Sequence, residues 1–387
     1  MNGSAACIVG AGQTEFSKQA GRSETQLASE AIRAALADAG IKVADVDGLT
    51  TFTIDPVDET ELTRAVGFRD LGFSSRVPYG GGGSQGVVAH AAAAIAAGQA
   101  DVVVAYRAIC ARSGKRRFGS TDTTNRGSAI HTGTTAAQWC TPFGNLTPAS
   151  WFSLNSTRYM HEYGVTSEDF GRAVVQLRAY AATNPDAHFY GRPITLDDHQ
   201  TSRWIAEPAI RLFDCCQETD GAVALVITSA ERARDLLQPP VHIAAAAGAA
   251  VFEEEVGSNH YRDDITFLDS SAALARRLFD RSGIARSELD VAMIYDAFTP
   301  ILFQQLEALG FCGRGEAKDY VAAGNLGPDG PLPTNTNGGL IGEGYIHGLN
   351  LTLEAVRQLR GTAVNQVIGA RTALVSSSRA GVILRSD

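Results

Sequence analysis

The sequence contains two copies of one plan. A first segment, Leu27 to Asp47, runs through Gly40-Ile41 and ends in Asp45-Val46-Asp47. A second, Leu274 to Asp290, runs through Gly283-Ile284 and ends in Glu288-Leu289-Asp290. The spacing from Gly40 to Asp47 equals that from Gly283 to Asp290. Each copy passes into a strand that ends in an aromatic, Thr51-Phe52 in the first and Ala297-Phe298 in the second. Each then reaches a glycine turn, at Gly80 and at Gly338, followed by a long helix, a short gap and a strand. Consecutive elements kept in order and spacing predict two βαβ-rich halves, with two similar and mostly parallel sheets and helices between them.

Taken in order, Ala5 to Val9 reads as a buried strand entering Gly10-Ala11-Gly12, a glycine pair too short to signal a dinucleotide site. Glu24 to Ala39 places Leu27, Ala28, Ala31, Ile32, Ala35 and Leu36 on one helical face, and Gly40 stops it. Asp47 to Phe52 is a strand, Ser84 to Ala97 an alanine-rich helix, and Asp101 to Tyr106 a strand. From Arg107 to about Pro208 the texture changes, with Pro142, Pro148, Pro185 and Pro193 and few periodic segments apart from a helix at Ser167 to Ala182. This stretch reads as an insertion. Strands resume at Gly221 to Thr228 and Val241 to Ala247, and later at Val291 to Ile294 and Ala373 to Ser377. The division is 1–107 with 209–235, an insertion at 108–208, and 236–387.

Charge and cysteine usage narrow the function. A net charge of −9 disfavours nucleic acid as a partner. The six cysteines have no CxxC spacing, which fits free thiols in a reducing cytoplasm. No basic-then-apolar leader opens the chain, and no apolar run reaches the roughly 20 residues of a membrane span. The histidines show no ligand spacing, so no metal is expected.

The densest chemical signal is Asn335 to Asn350, with five glycines around Tyr345 and His347 and a helix behind it from Leu349 to Leu359. A glycine turn opening onto a helix N-terminus offers N–H groups to an oxyanion. The stretch resembles the thiolase signature Asn-x-x-Gly-Gly-x-x-x-x-Gly-His-Pro, matching from Asn335 through Gly344. It departs at Tyr345, where the family has its catalytic His, and at Ile346, where it has Pro. The family's Asn-Glu-Ala-Phe motif reads Tyr295-Asp296-Ala297-Phe298 here. Counting back from Gly98-Gln99-Ala100-Asp101, the nucleophilic Cys falls at about Gly81. The second Cys is also missing from the stretch Leu374 to Gly381. The chain thus resembles the thiolase superfamily, in particular its lipid-transfer-protein-linked branch.

That resemblance implies an α/β thiolase-like fold, two repeated halves in stacked α-β-α-β-α layers with a loop-domain insertion. Two tyrosines at replaced catalytic positions resemble the thiolase-like aldolases of steroid side-chain degradation. The implied reaction is retro-aldol cleavage of a β-hydroxyacyl-CoA to a ketone and a short acyl-CoA such as propionyl-CoA. It needs a base, an oxyanion site and an acid but no nucleophile. The catalytic candidates are Tyr295, Tyr345 and His347. Oxyanion and substrate-binding candidates are Gly81, Gly82, Gly83, Gly344 and Asp296.

Each candidate has a plainer reading. Tyr295 fits a core aromatic, His347 a structural histidine, and Asp296 a cap for the helix beginning near Pro300. Asp220 reads as a turn residue and Cys215-Cys216 as buried thiols. Arg112, Lys115, Arg116 and Arg117 form a basic cluster that reads either as a solvated loop or as a seat for CoA phosphates. The rival functions are a thiolase-type acyltransferase, disfavoured by the missing thiols, and a catalytically silent acyl-CoA-binding scaffold. No cofactor is expected beyond the coenzyme A of the substrate. The resemblance further implies a homodimer and a small OB-fold (DUF35) partner belonging to a hydratase.

Overall fold

The computed structural model describes residues 6–78, 80–114, 141–251 and 262–387. The first half contains β1 (Ala6–Gln13), α1 (Glu24–Ala39), β2 (Gly48–Phe52), α2 (Glu59–Val66), β3 (Phe73–Val77), α3 (Gly86–Ala96) and β4 (Val102–Cys110). The insertion contributes α4 (Pro148–Tyr163), α5 (Ser167–Thr183) and a small ribbon of β5 (Trp204–Ala206) and β6 (Ile210–Arg211). The chain returns through β7 (Asp220–Ser229). The second half holds β8 (Val241–Gly248), α6 (Asp269–Ser282), β9 (Val291–Ile294), α7 (Thr299–Ala308), α8 (Gly339–Gly342), α9 (Leu349–Arg360), β10 (Thr372–Ser376) and β11 (Ala380–Arg385).

The large sheet runs β3-β2-β4-β7-β1-β8-β11-β10-β9. Its two ends mirror each other about the junction of β1 and β8, which pair antiparallel through Cys7↔His242 and Ile8↔Val241. The halves are therefore joined edge to edge in one ladder, where two separate sheets were expected. Nor are they mostly parallel. Parallel pairing is confined to β2–β3, β2–β4 and β9–β10. The reason is connectivity: β10 and β11 are joined by a tight turn, which allows only an antiparallel pair.

The layers follow from which helix touches which strand. α1 packs on β1, β7 and β4, and α6 on β8 and β11. Between them lie α3 and α9, each touching strands of both halves. This is the α-β-α-β-α order. Strands buried on both faces read as apolar runs, and all nine residues of β4 are buried.

The sequence repeat has a physical cause. Asp47 carboxylate oxygens accept the N–H groups of Asp101 and Val102 at the start of β4. Asp290 does the same for Arg371 and Thr372 at the start of β10. Helices α1 and α6 both stop at a left-handed glycine, Gly40 and Gly283. The aromatic matching Phe52 is Tyr295, not Phe298, because each lies five residues beyond its aspartate. Among the described residues the second half has a single bridge, Ala292↔Thr334, where the first has β3. Asn335 completes that edge with its side chain, donating from Nδ2 to the Ile294 carbonyl and accepting the Ile294 N–H at Oδ1.

Two expectations at the insertion need correction. β4 runs on to Cys110, so Arg107 belongs to a strand and not to the start of a loop. Asp220 is a fully buried strand residue, accepting the N–H groups of Ala20, Arg112 and Ser113. Lys115, Arg116 and Arg117 lie outside the described residues.

Candidate active site

Tyr295 leaves the end of β9, and Tyr345 sits in the loop between α8 and α9. Their phenolic oxygens are 2.8 Å apart and both side chains are buried. The pair crosses the space in front of the first glycine turn. A Cβ added at Gly81 would lie 2.0 Å from the Tyr295 hydroxyl oxygen. The position where the resemblance places a nucleophile therefore has no room for a side chain while Tyr295 is present.

The neighbouring glycines divide by surroundings. Gly82 donates no side chain but its carbonyl accepts the Arg379 N–H at 2.8 Å, and the Ser378 hydroxyl stands beside its α-carbon. Gly83 is buried in the same turn. Gly344 packs its α-carbon against the Phe16 ring, and its carbonyl accepts from Asn350 Nδ2. Of these four glycines Gly81 is the one against the Tyr295 hydroxyl, while Gly348 packs beside the same ring and the Gly344 α-carbon faces Phe16.

His347 packs edge-on against the Tyr345 ring, with centroids 5.1 Å apart. Its Nδ1 accepts from Arg107 Nε at 3.0 Å, and Arg107 is paired with Asp55. His347 is therefore tied to a buried ion pair and to a phenol at once.

Asp296 does not cap α7, whose N-cap is Phe298. It accepts the Leu340 N–H at 2.8 Å, at the start of α8, and its other oxygen fills the space that a Cβ on Gly339 would take. Asp296 thus braces the second glycine turn from behind. Burial pushes its carboxyl up to about 7. Glu343 in the same turn accepts from the side-chain amides of Asn184, Asn337 and Asn350, and burial pushes it up to about 8.

The segment leaving the insertion, 215–219, stitches the two catalytic turns together. Cys216 N–H donates to the Ala297 carbonyl and Gln217 N–H to the Leu340 carbonyl. The Thr219 hydroxyl accepts the Tyr345 N–H at 2.9 Å and donates to the Tyr345 carbonyl at 3.3 Å. Cys216 is half-buried beside the phenol pair, and burial drives its thiol far above the usual range.

Burial also pushes both phenols upward. The shared hydrogen bond favours ionisation of Tyr345 and works against that of Tyr295, and the Arg107 charge further favours ionisation of Tyr345. At neutral pH the site therefore holds two protonated, hydrogen-bonded phenols and no activated nucleophile. Such a pair can move protons without forming an acyl-enzyme.

Sequence reasoning found the tyrosines and His347 but missed Asp55, Arg107 and Thr219. Arg107 carried a readable signal: it is the one charged residue in the run Val102 to Cys110. Thr219 and Asp55 carried none. Of the basic cluster, Arg112 is exposed, and its backbone N–H goes to Asp220.

Comparison with known proteins matches the frame. Residues 253–386 match the family model "Thiolase C-terminal domain-like". A steroid side-chain-cleaving aldolase of Thermomonospora curvata is 51% identical, over 99% of this chain and 98% of the relative. The 17-hydroxy-3-oxo-4-pregnene-20-carboxyl-CoA lyase of Mycobacterium tuberculosis is 52% identical over 96% of each. The solved Ltp2-ChsH2(DUF35) aldolase superposes with a TM-score of 0.92 at 50% identity, covering 99% of this chain and 98% of that one. Over its whole length, the chain belongs to the thiolase superfamily, on the branch of the thiolase-like aldolases.

Proposed function

We propose that this protein is a lyase that cleaves the side chain of a steroid CoA thioester by a retro-aldol step. The observation that carries the reading is the phenol pair, 2.8 Å apart, filling the space in front of Gly81. Full-length similarity to a named steroid carboxyl-CoA lyase supports the substrate class.

The reaction moves one proton overall. The β-hydroxyl loses its proton and becomes a ketone as the bond to the α-carbon breaks. The electron pair enters the thioester as an enolate, and the α-carbon then takes up a proton. For a 17-hydroxy pregnene-20-carboxyl-CoA, the products are a 17-ketone and propionyl-CoA. Two hydrogen-bonded phenols suit this balance. One takes the hydroxyl proton while the other gives its own to the carbon, and the bond between them restores the pair. No free phenolate is needed beforehand, which agrees with the upward shift of both tyrosines. Gly81 to Gly83 are the backbone donors assigned to the enolate oxygen in this reading.

The rest of the reading is an expectation. The protein works as a homodimer with an OB-fold (DUF35) partner, in the cytoplasm, with no cofactor beyond substrate CoA. Among the described residues no helix is long and apolar enough to cross a membrane. The insertion at 108–208, including Arg112 to Arg117, holds the CoA moiety.

The test is incubation with a tertiary β-hydroxyacyl-CoA without free CoA, against an acyl-CoA with free CoA. Cleavage in the first arm supports the lyase. Thiolysis in the second, or reaction in neither, overturns it.

A further inference from the structure

Arg107 lies fully buried within β4, and the proton transfers described above do not use it. We propose that Arg107, anchored by Asp55, is a positioning residue for Tyr345: it fixes the tautomer and ring plane of His347, against which Tyr345 packs, and holds a desolvated positive charge beside the phenol pair. This inference rests on the retro-aldol reading of the same site.

The four side chains form a line. Asp55 Oδ2 accepts from Arg107 Nη1 at 2.6 Å, with neither side chain exposed. Arg107 Nε donates to His347 Nδ1 at 3.0 Å. The His347 ring meets the Tyr345 ring edge-on at 5.1 Å. An arginine can only donate, so Nδ1 must be the acceptor and His347 carries its proton on Nε2. Nε2 in turn lies toward the first glycine turn, 4.0 Å from where a Cβ on Gly80 would stand. A doubly protonated ring would set N–H against N–H at the Arg107 contact, so the clamp holds His347 neutral.

Backbone conformation agrees. His347 has a φ of +65°, which non-glycine residues seldom adopt. Such a geometry persists where surroundings over-determine it. Here Arg107 holds one ring nitrogen, and the Phe52 ring lies nearby with centroids 6.1 Å apart. The Arg107 guanidinium also stands 5.5 Å from the Phe52 ring centre. Its Nη2 is buried without a hydrogen-bond acceptor among the described residues, so the ion pair leaves the guanidinium's donors incompletely satisfied.

The charge has a direction. Among the described residues, the titratable groups acting on Tyr345 include Tyr295, Cys216, Glu218 and Arg107, with His347 against its ring. Cys216 and Glu218 oppose negative charge on Tyr345, while Arg107 and the Tyr295 hydrogen bond favour it. Arg107 is thus one of the groups that ease negative charge on Tyr345.

The experiment compares the full-length protein with Arg107→Lys, Arg107→Gln and the double variant Asp55→Asn/Arg107→Gln. The double variant leaves no uncompensated buried carboxylate, so it answers if the single variant does not fold. Readouts are kcat, KM, the pH profile of kcat/KM, and nitrogen-15 imidazole NMR of His347. The eight histidines are separated by a His347→Gln control. Arg107→Gln is expected to lower kcat about 10- to 100-fold, part of the range for a group in proton transfer, with KM changing less than about threefold. It moves the base limb of the profile to higher pH and loses the single-tautomer signal. Arg107→Lys keeps the position of the limb but not the tautomer signal. Wild-type kcat, limb and tautomer in both Gln variants would reduce the clamp to a structural ion pair. If wild type cleaves no β-hydroxyacyl-CoA but the tautomer signal still depends on Arg107, the function reading fails and the clamp stands.

Discussion

The two glycine turns are equivalent by repeat and opposite in what they supply. The first, Gly80 to Gly83, offers backbone without side chains, and the room this leaves at Gly81 is taken by the Tyr295 hydroxyl. The second, Asn335 to Gly348, presents Tyr345 and His347 and is braced by two buried acids. The strands leading to them differ in the same way. Phe52 and Tyr295 occupy matching places after Asp47 and Asp290, yet one packs under Arg107 and the other carries a hydroxyl to the site. Matching β4 to β10 through their aspartate caps sets Arg107 opposite Ser377. Duplication repeats the hydrogen bonds that build the frame. The chemistry arises where equivalent positions differ, with charge and space from one half and phenols from the other.

Making the halves alike at one such position gives the largest expected effect. Tyr295→Phe turns the second half into a copy of the first at Phe52. It removes one hydroxyl and little packing, so the fold survives. Steady-state kcat is expected to fall 10²–10⁴-fold, the usual contribution of a group in proton transfer. Tyr345→Phe should fall in the same range, because each phenol is half of one wire. CoA-ester binding, followed by calorimetry, should persist in both. Native cleavage rates in either variant would return the tyrosines to the core.

Filling the space in the first turn comes next. A methyl at Gly81 would stand 2.0 Å from the Tyr295 oxygen, whereas one at Gly82 meets only the Ser378 hydroxyl, at 2.9 Å. Gly81→Ala is expected to cost about 1–3 kcal/mol in urea unfolding, as overpacking does. It should also lower kcat by displacing the phenol. Gly82→Ala should do much less, since a hydroxyl can rotate away. In a Tyr295→Ala background the Gly81 cost should largely vanish. Additive costs in that double-mutant cycle would show that the two positions do not meet. The same contact explains why Gly81→Cys alone would not make a thiolase: the thiol has no room, and no histidine stands at Tyr345 to activate it.

The sequence disclosed the frame better than the site. Helix α1 is legible because Ser23 caps it, apolar residues recur on one face, and Gly40 ends it, all local signals. The repeat is legible because Asp47 and Asp290 do the same local work. The joining of β1 to β8 is not, since a two-residue pairing across 235 positions leaves no periodic mark. In the site, Tyr295 and Tyr345 stood out against a family pattern. Thr219 did not, because its role consists of two bonds to the backbone of Tyr345 and any sequence could surround it. Asp296 was misread for a related reason. A carboxylate three residues before a helix suggests a cap, but the chain folds so that a different helix, α8, presents its N–H groups first.

The smallest effect expected is a pH dependence that belongs to the second turn alone. Among the described residues of the first turn, Gly80 to Gln85, none is ionisable. In the second, burial raises Asp296 from its usual 3.8 to about 7 and Glu343 from 4.5 to about 8. Between the usual and the raised value the unfolded chain has released its proton while the folded protein keeps it. The native state then binds more protons, so stability falls as pH rises. Each group contributes at most about 1.4 kcal/mol per pH unit inside its window, and nothing further above the raised value. From pH 5 to pH 7 both windows are open. Urea unfolding at these two pH values should show wild type losing more stability than Asp296→Asn or Glu343→Gln, each variant removing one carboxyl from the balance. Substitution at the first turn, as in Gly82→Ala, should leave the slope as it is. Parallel curves for wild type and both acid variants would mean that the acids are reached by water, and that the two turns do not differ in this respect.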